Sequence, residues 1–132
     1  MPSIFTKIIN REIPAHIVWE NESYSAMLDI NPNNPGHLLL VPKKESPYIF
    51  DLDQEEYDML WRTAKKIAQP LKRVTAAKRI GIVVEGLGIE DHVHVHLIPI
   101  NEPADMDSTH KVALSDEEMK IMAEKIKVAL QN

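Results

Sequence analysis

The chain has 132 residues, 44% hydrophobic and 27% charged, which predicts one globular domain spanning residues 1–132. Fifteen Lys and Arg residues against twenty Asp and Glu give a formal net charge of -5, the wrong sign for a protein that binds a nucleic-acid polymer. The absence of cysteine excludes disulfides and thiolate metal sites, and the first nine residues resemble neither a signal peptide nor a membrane span, so we expect a cytoplasmic protein with no membrane partner.

The sequence predicts three short strands before its first long helix. Two of them, over residues 17–20 and 24–30, flank a polar turn. A cluster of Asn, Pro and Gly over residues 31–36 predicts a second turn, because Pro fixes φ and Gly tolerates positive φ. An apolar run over residues 37–41 then predicts a buried strand.

A long central helix is predicted next. Asp53 can cap its N-terminus with Glu56 in the capping-box position, and an apolar stripe continues at helical spacing. Pro70 is expected to kink or end this helix, because proline removes a backbone donor. Residues 79–85, rich in Ile and Val, predict a strand buried on both faces, and residues 92–100 predict another.

The last predicted element is a second helix, which Ser115 can cap with Glu118 in the box position. One face of this helix is apolar and needs a partner in the fold. Five strands with the helices inserted late predict an α+β fold. We expect a five-stranded, mainly antiparallel sheet with a long central helix and a C-terminal helix.

The most informative segment is residues 92–97, in which His92, His94 and His96 alternate with Val and Leu. Side chains two apart on a strand project to the same side, so the three imidazoles should form a row about 6.5 to 7 Å apart, with the apolar residues facing the core. Neutral imidazole attacks phosphorus readily, and a neighbouring histidine can donate to phosphate oxygens. The row therefore predicts a phosphoryl-transfer site.

Two other interpretations of the histidine row stay open. A single histidine is usually a surface residue or a hydrogen-bonded core residue, although three of the six histidines of the chain lie in this one span. Alternating histidines on a strand can also ligate zinc or copper. Such a metal would need ligands from elsewhere, because the chain lacks cysteine and this face of the strand lacks a carboxylate. No metal or other cofactor is therefore expected.

The sequence resembles the histidine triad (HIT) superfamily, and specifically its small dimeric nucleotide-binding hydrolases. The hallmark of the superfamily, three histidines alternating with apolar residues, is matched in full by residues 92–98. The likeness covers about the first hundred residues, through segments at residues 4–9, 12–15, 28–32 and 35–44. The resemblance implies a HIT-like fold, a homodimer and a small nucleotide substrate, with a purine base favoured.

The resemblance also implies roles for particular residues. His94 matches the nucleophile that forms a nucleotidyl-imidazole intermediate, and His92 and His96 match the flanking orienting and phosphate-binding histidines. His37 matches a supporting histidine, and Asp29 matches a carboxylate that accepts both ribose hydroxyls. The apolar walls around the base match Phe5, Ile8 and Ile30. Plain core packing is the alternative for these three, and a local cap or surface carboxylate is the alternative for Asp29.

The sequence departs from the family pattern in two places. Bacterial relatives often bind zinc through two cysteines near the N-terminus and a histidine after two lysines. Here Ser3, Thr6 and Glu45 stand at those positions, so no zinc is expected. The family also usually carries Gly-Gln-Ser or Gly-Gln-Thr before the triad, with donors for the phosphates and the leaving group. The corresponding residues 85–91 are shorter and acidic.

The expected function is a nucleotide hydrolase or nucleotidyl transferase. It would release a nucleoside monophosphate from a phosphoramidate, an acyl adenylate or a dinucleoside polyphosphate through an adduct on His94. The alternative is a nucleotide-binding or interaction protein with vestigial turnover, which the acidic residues 85–91 favour. The same residues predict that an amine leaves more readily than a polyphosphate, because like charges repel.

Overall fold

The computed structural model describes residues 2–131, which contain three α-helices and five β-strands. The helices are α1 (Ile4–Ile9), α2 (Gln54–Thr75) and α3 (Asp116–Leu130). The strands are β1 (Ile17–Glu20), β2 (Tyr24–Leu28), β3 (Leu38–Pro42), β4 (Arg79–Val83) and β5 (Val95–Ile100). Within residues 2–131, no helix combines the length and the apolar character needed to cross a membrane.

The five strands form one antiparallel sheet in the order β1-β2-β3-β5-β4. Leu39 of β3 pairs with His96 of β5, which in turn pairs with Val83 of β4. The predicted α+β class with a five-stranded antiparallel sheet is therefore confirmed. The order also places β5, which contains the last of the alternating histidines, between β3 and the edge strand β4.

The two faces of the sheet pack against different helices. On one face α2 and α3 enclose the main core, to which Val93, Val95 and Leu97 belong. On the other face lies a small cluster of buried residues, to which α1 contributes. Its members are Phe5, Ile8, Met27, Leu39 and Val41. Because His96 alternates with Val95 and Leu97, its side chain lies on the face of the small cluster.

Both predicted capping boxes are present, at Asp53 with Glu56 and at Ser115 with Glu118. Pro70 was expected to kink or end α2, and of these two outcomes the end is wrong, because the helix continues five residues further to Thr75. Pro70 is itself buried in the apolar stripe of α2. We attribute the continuation to this packing, which can offset the backbone hydrogen bond that proline removes.

The remaining differences from the prediction concern strand ends and one helix. Strand β2 ends at Leu28, two residues early, and β4 is partly exposed rather than buried on both faces, because it is the edge of the sheet. Strand β5 begins only at Val95, since the N–H of Val93 donates to the carbonyl oxygen of Ser46 instead of to a neighbouring strand. Helix α1, capped by Ser3, was not predicted because six residues are too few to show helical periodicity.

The predicted turn before β3 depends on Gly36. This residue has a φ of 92°, which a residue with a Cβ rarely adopts. A Cβ added at Gly36 would also lie 2.6 Å from Cγ2 of Thr75 at the end of α2. The glycine therefore lets the turn approach α2 and directs the chain into β3, immediately before His37.

Candidate active site

Four histidines meet on the face of the sheet that carries the small cluster. His37 directly precedes β3, His92 and His94 precede β5, and His96 lies within β5. The ring centroid of His96 is 5.3 Å from that of His94 and 5.1 Å from that of His37. His37, His92 and His94 are buried, whereas the side chain of His96 is 20% exposed. The structure thus brings the four candidate histidines together, although two of the triad lie outside the strand.

The position of the proton on His94 follows from its hydrogen bond. Its Nδ1 lies 2.9 Å from the backbone carbonyl oxygen of His92. A carbonyl oxygen can only accept, so Nδ1 carries the proton and Nε2 of the neutral ring keeps its lone pair. The ring of Phe5 packs beside this imidazole with a centroid distance of 5.0 Å. His94 can therefore present an unprotonated nitrogen in a fixed orientation.

A chain of hydrogen bonds fixes the protons on His37 and His96. The backbone N–H of Asn33 donates to Nδ1 of His37 over 3.0 Å. Neutral His37 therefore carries its proton on Nε2, which lies 2.9 Å from Nδ1 of His96. His96 accepts at Nδ1 and so keeps its own proton on Nε2. The site thus combines a nitrogen lone pair on His94 with an N–H donor on His96, which suits attack on a bound phosphate.

The electrostatics of the site keep both of these linked histidines neutral. Burial lowers the pKa of His37 to about 4, although the carboxylate of Asp29 opposes the shift. Burial also lowers the pKa of His96, and the neighbouring His94 acts in the same direction. Both rings are therefore uncharged at pH 7. Each neutral ring then has one nitrogen that donates a hydrogen bond and one that accepts, as the hydrogen-bond chain requires.

The free energy of unfolding is expected to fall as the pH is lowered from 6.5 toward 4. Between these values the unfolded chain takes up a proton at His37 that the folded chain excludes, because the folded pKa is about 4 against an ordinary value of 6.5. This linkage removes up to about 3 kcal/mol of stability at acid pH. Urea titrations at pH 7 and pH 4.5 measure the difference.

The variant His37→Gln serves as the test of this assignment, because it removes the titrating group. Its free energy of unfolding should fall less between the two pH values than that of the wild type, whatever its absolute stability. His16→Gln, a change outside the histidine cluster, is the control and should retain the larger fall. An equal fall in wild type and His37→Gln would contradict the assignment.

Asp29 lies at the edge of the histidine cluster. Its Oδ2 is 3.5 Å from Nε2 of His37 and 3.7 Å from Nδ1 of His96, and its side chain is 14% exposed. Its Oδ1 accepts the backbone N–H of Asn31 over 2.8 Å, which is the local capping contact expected of an Asp at a turn. An ionised carboxylate has further lone pairs, so this contact leaves Asp29 able to accept from a ligand.

The same three side chains could be considered as metal ligands. One ligand atom from each of Asp29, His37 and His96 lies within 4.8 Å of the others, so the fold supplies the carboxylate that the histidine row itself lacks. However, Nδ1 of His37 accepts the N–H of Asn33, so Nε2 carries the proton. A metal ion bound at Nε2 of His37 would have to displace this proton, and the imidazole of His37 would then be an anion. The hydrogen bonds therefore favour the donor chain over a metal site.

A second network holds His92. Its Nε2–H donates to the carbonyl oxygen of Pro42 over 2.6 Å, and its Nδ1 accepts from the hydroxyl of Ser3 over 2.6 Å. Glu45 accepts the backbone N–H of Ser3 over 2.7 Å and the hydroxyl of Thr6 over 2.6 Å. These hydrogen bonds lower the pKa of Glu45. The network ties α1 and the segment after β3 to His92, whose carbonyl group orients His94.

Ser3, Thr6 and Glu45, which the family resemblance places at zinc-ligand positions, are therefore joined in one network that contacts His92 through Ser3. The set does not suit zinc, because two of its side chains are hydroxyls, whereas protein zinc sites use thiolate, imidazole and carboxylate. The lone pair on Nδ1 of His92 is also already occupied by the Ser3 hydroxyl. Hydrogen bonds connect these residues without the need for an ion.

The three apolar residues expected around a base differ in exposure. Phe5 and Ile8 are buried in the small cluster, and Phe5 also packs edge-on against His92 with a centroid distance of 5.7 Å. Core packing, the alternative interpretation, thus describes both. Ile30 is 76% exposed and adjoins Asp29, so it is no core residue and is free to contact a ligand.

A segment that the sequence analysis did not identify covers the β4 side of the site. We call residues 105–112 the cover segment. The side-chain nitrogen of Asn33 donates to the carbonyl oxygen of Asp105 over 2.9 Å, and its side-chain oxygen accepts from the ammonium group of Lys111 over 2.9 Å. The residue that donates its backbone N–H to His37 therefore also anchors the cover segment.

Gly81 in the interior of β4 makes room for this cover. A Cβ added at Gly81 would overlap the sulfur of Met106, so only glycine permits this approach without a shift. A glycine inside a strand often marks such a close approach, and it is the sequence signal that could have indicated a covering segment.

A cavity of about 100 Å³ lies beside His96 under the cover segment. Its lining comprises Asn33, His37, Val83, Glu85, His96, Ile98, Met106, Ser108 and Lys111. A larger groove of about 420 Å³ lies near the start of α2, and none of the four histidines lines it. Because the smaller cavity adjoins the hydrogen-bonded histidines, it is the one that bears on their chemistry.

Comparisons with known proteins identify relatives of this chain. Residues 10–103 match the family model described as the HIT domain. The chain is similar to the adenylylsulfatase HINT1 of Arabidopsis thaliana, at 37% identity over 106 residues, which cover 74% of this chain and 70% of the relative. It is also similar to the purine nucleoside phosphoramidase of Escherichia coli K12, at 34% identity over 101 residues, which cover 73% of this chain and 85% of the relative.

The fold resembles a solved structure as well, that of a hypothetical histidine triad nucleotide-binding protein from Sulfolobus tokodaii. The TM-score is 0.85 at 26% sequence identity, and the likeness covers 97% of this chain and 91% of the other. The family model ends at residue 103, so the cover segment lies beyond the residues that it matches.

Proposed function

The chain belongs to the HIT family, and from this membership we propose that it is a nucleotide hydrolase that releases AMP or a similar nucleoside monophosphate through an adduct on His94. One observation carries the proposal. The carbonyl group of His92 holds the proton on Nδ1 of His94 and leaves Nε2 as a nucleophile beside the N–H donor of His96. The phosphoramidase and the adenylylsulfatase to which the chain is similar support a nucleotide substrate.

In the first proposed step, the lone pair on Nε2 of His94 forms a bond to the α-phosphorus. The bond to the leaving group breaks, its electron pair goes to the leaving atom, and an amine leaving group takes up a proton from solvent water. His96 donates its Nε2–H to a phosphate oxygen and stabilises the developing charge. The imidazole ring of His94 becomes cationic, and the carbonyl dipole of His92 stabilises that charge.

In the second proposed step, water attacks the phosphorus of the adduct. The bond from phosphorus to Nε2 of His94 breaks and its electron pair returns to the nitrogen, while a proton of the water goes to solvent. The products are the nucleoside monophosphate and the starting form of the site. Rigid positioning and charge stabilisation supply most of the catalysis in this type of reaction.

The nucleoside is proposed to bind on the side of α1, β2 and β3. There Asp29 accepts hydrogen bonds from the ribose hydroxyls with the lone pairs that Asn31 does not use. The exposed side chain of Ile30 contacts the base, and Phe5 and Ile8 back this surface from the small cluster.

A binding protein with vestigial turnover is the second candidate, favoured by the acidic residues 85–91, which lack side-chain donors when ionised. Of the three carboxylates in that segment, Glu85 lines the cavity beside His96, whereas Glu90 and Asp91 are exposed and do not. This placement weakens the argument for lost activity, because two of the acidic residues do not border the cavity.

Incubation with adenosine 5′-phosphoramidate tests the proposal directly. The purified protein should release AMP over many turnovers, and rapid alkaline quenching should capture an acid-labile nucleotidyl adduct that peptide mapping assigns to His94. Saturable binding of the nucleotide without AMP release would instead support the binding protein. An adduct on His92 or His96 would overturn the assignment of the nucleophile.

A further inference from the structure

The cavity beside His96 is lined by two of the four histidines, His37 and His96, but not by His94. Most of its lining residues belong to β4, the segment after β4, β5 and the cover segment. Asn33 and His37 complete it from the β2 to β3 region. Attacking and leaving atoms lie roughly in line across the phosphorus in phosphoryl transfer. The leaving group therefore lies away from His94, and a cavity that adjoins His96 without being lined by His94 is open to it.

The polar groups of the cavity define what it can bind. Besides the two histidines and Asn33, its lining offers one cation, one carboxylate and one hydroxyl, on Lys111, Glu85 and Ser108. The ammonium group of Lys111 donates to the amide oxygen of Asn33, which is neutral and so does not cancel the positive charge of Lys111. That charge also acts at the site, because it contributes to lowering the pKa of both His37 and His96.

The placement of these charges changes the expectation drawn from the acidic segment. Repulsion of a negative leaving group was expected from three carboxylates, but Glu85 alone of the three lines the cavity, and Lys111 lines it as well. A leaving group with only a positive charge would be repelled by Lys111, and one with only a negative charge would be repelled by Glu85. A group with both a nitrogen donor and a negative charge can use both residues.

We propose that the cavity is a leaving-group subsite for amines that carry a carboxylate, with Lys111 pairing with the carboxylate and Glu85 accepting from the amine nitrogen. This inference rests on the proposed hydrolase function and names the substrate class of the same site. Because the cover segment lies beyond residue 103, the selecting cation belongs to a part of the chain outside the HIT domain match.

The test compares the adenosine 5′-phosphoramidates of glycine and of glycinamide. Both have the same type of phosphorus–nitrogen bond, but only the first leaving group carries a carboxylate. The ratio of their kcat/KM values should fall roughly tenfold in Lys111→Met, as expected for loss of a charge-assisted hydrogen bond. Lys111→Arg, which keeps the charge, should largely preserve the ratio of the wild type.

Two controls separate the possible outcomes. Lys125→Met, on the exposed surface of α3, should behave like the wild type. The unsubstituted phosphoramidate and the glycinamide compound both lack a carboxylate, so the ratio of their kcat/KM values should be the same in Lys111→Met and in the wild type. The inference is overturned if the glycine to glycinamide ratio is the same in wild type and Lys111→Met, or if all three substrates lose activity equally. Failure of the wild type to cleave any of the three would overturn the proposed function instead.

Discussion

His94→Ala is expected to lower kcat for AMP release from adenosine 5′-phosphoramidate by at least about a thousandfold, because none of the other three histidines of the cluster presents a free nitrogen lone pair. Both ring nitrogens of His37 and of His92 are hydrogen-bonded, as is Nδ1 of His96, and Nε2 of His96 carries a proton. Steady-state assays with the purified variant measure the loss.

Binding of AMP to His94→Ala should change only a few-fold, since the proposed ribose and base contacts lie on other residues. Isothermal titration calorimetry measures this affinity, and circular dichroism checks that the variant is folded. His16→Ala, a histidine substitution outside the cluster, is the matched control for the rate. A His94→Ala rate within tenfold of the wild type would refute the role of His94 as nucleophile.

Asp29→Ala is expected to weaken binding of AMP by about 1.5 to 3 kcal/mol, roughly ten- to a hundredfold, because it removes charge-assisted hydrogen bonds to the ribose hydroxyls. The 2′,3′-dideoxy analogue lacks those hydroxyls, so its affinity should change little. Dissociation constants for the two ligands with wild type and variant measure the difference.

The contact between Asp29 and the N–H of Asn31 calls for a second variant. Asp29→Asn keeps an oxygen that can accept this N–H, but it loses the negative charge. It should still discriminate less between AMP and the dideoxy analogue than the wild type does. Equal losses for both ligands in both variants would show that Asp29 serves the turn and not the ribose.

The features of the fold that could be predicted from sequence are those set by residues close together in the chain. Asp53 and Ser115 cap helices through residues three positions away, so the pattern predicts both helix starts. The continuation of α2 past Pro70 and the exposure of β4 depend on which elements become neighbours in space. A local pattern contains no information about those neighbours, so it did not show that α2 continues past Pro70 or that β4 is partly exposed.

The candidate site likewise has features that the sequence predicts and features that only the fold shows. Alternation alone predicts that the triad histidines share a face, and the structure brings them together with His37. The hydrogen bond from Asn33 to His37 and the contact of Lys111 with Asn33 are different, because they link residues through turns and across 78 positions of sequence. Ser3 and Glu45 were singled out only as departures from a zinc pattern. Their shared contact with His92 through a hydrogen-bond network required the fold.

Asn33 has a consequence for how this protein can evolve. Its backbone N–H serves His37, and every substitution except proline retains that group, whereas its side chain holds the cover segment and only a few residues could replace it. Mutations at this one position can therefore loosen or reshape the cover while the proton on His37 stays in place. Sequence changes within the cover segment likewise leave the nucleophile in place. The range of accepted leaving groups can therefore diverge between evolved relatives of this protein that keep the same reaction.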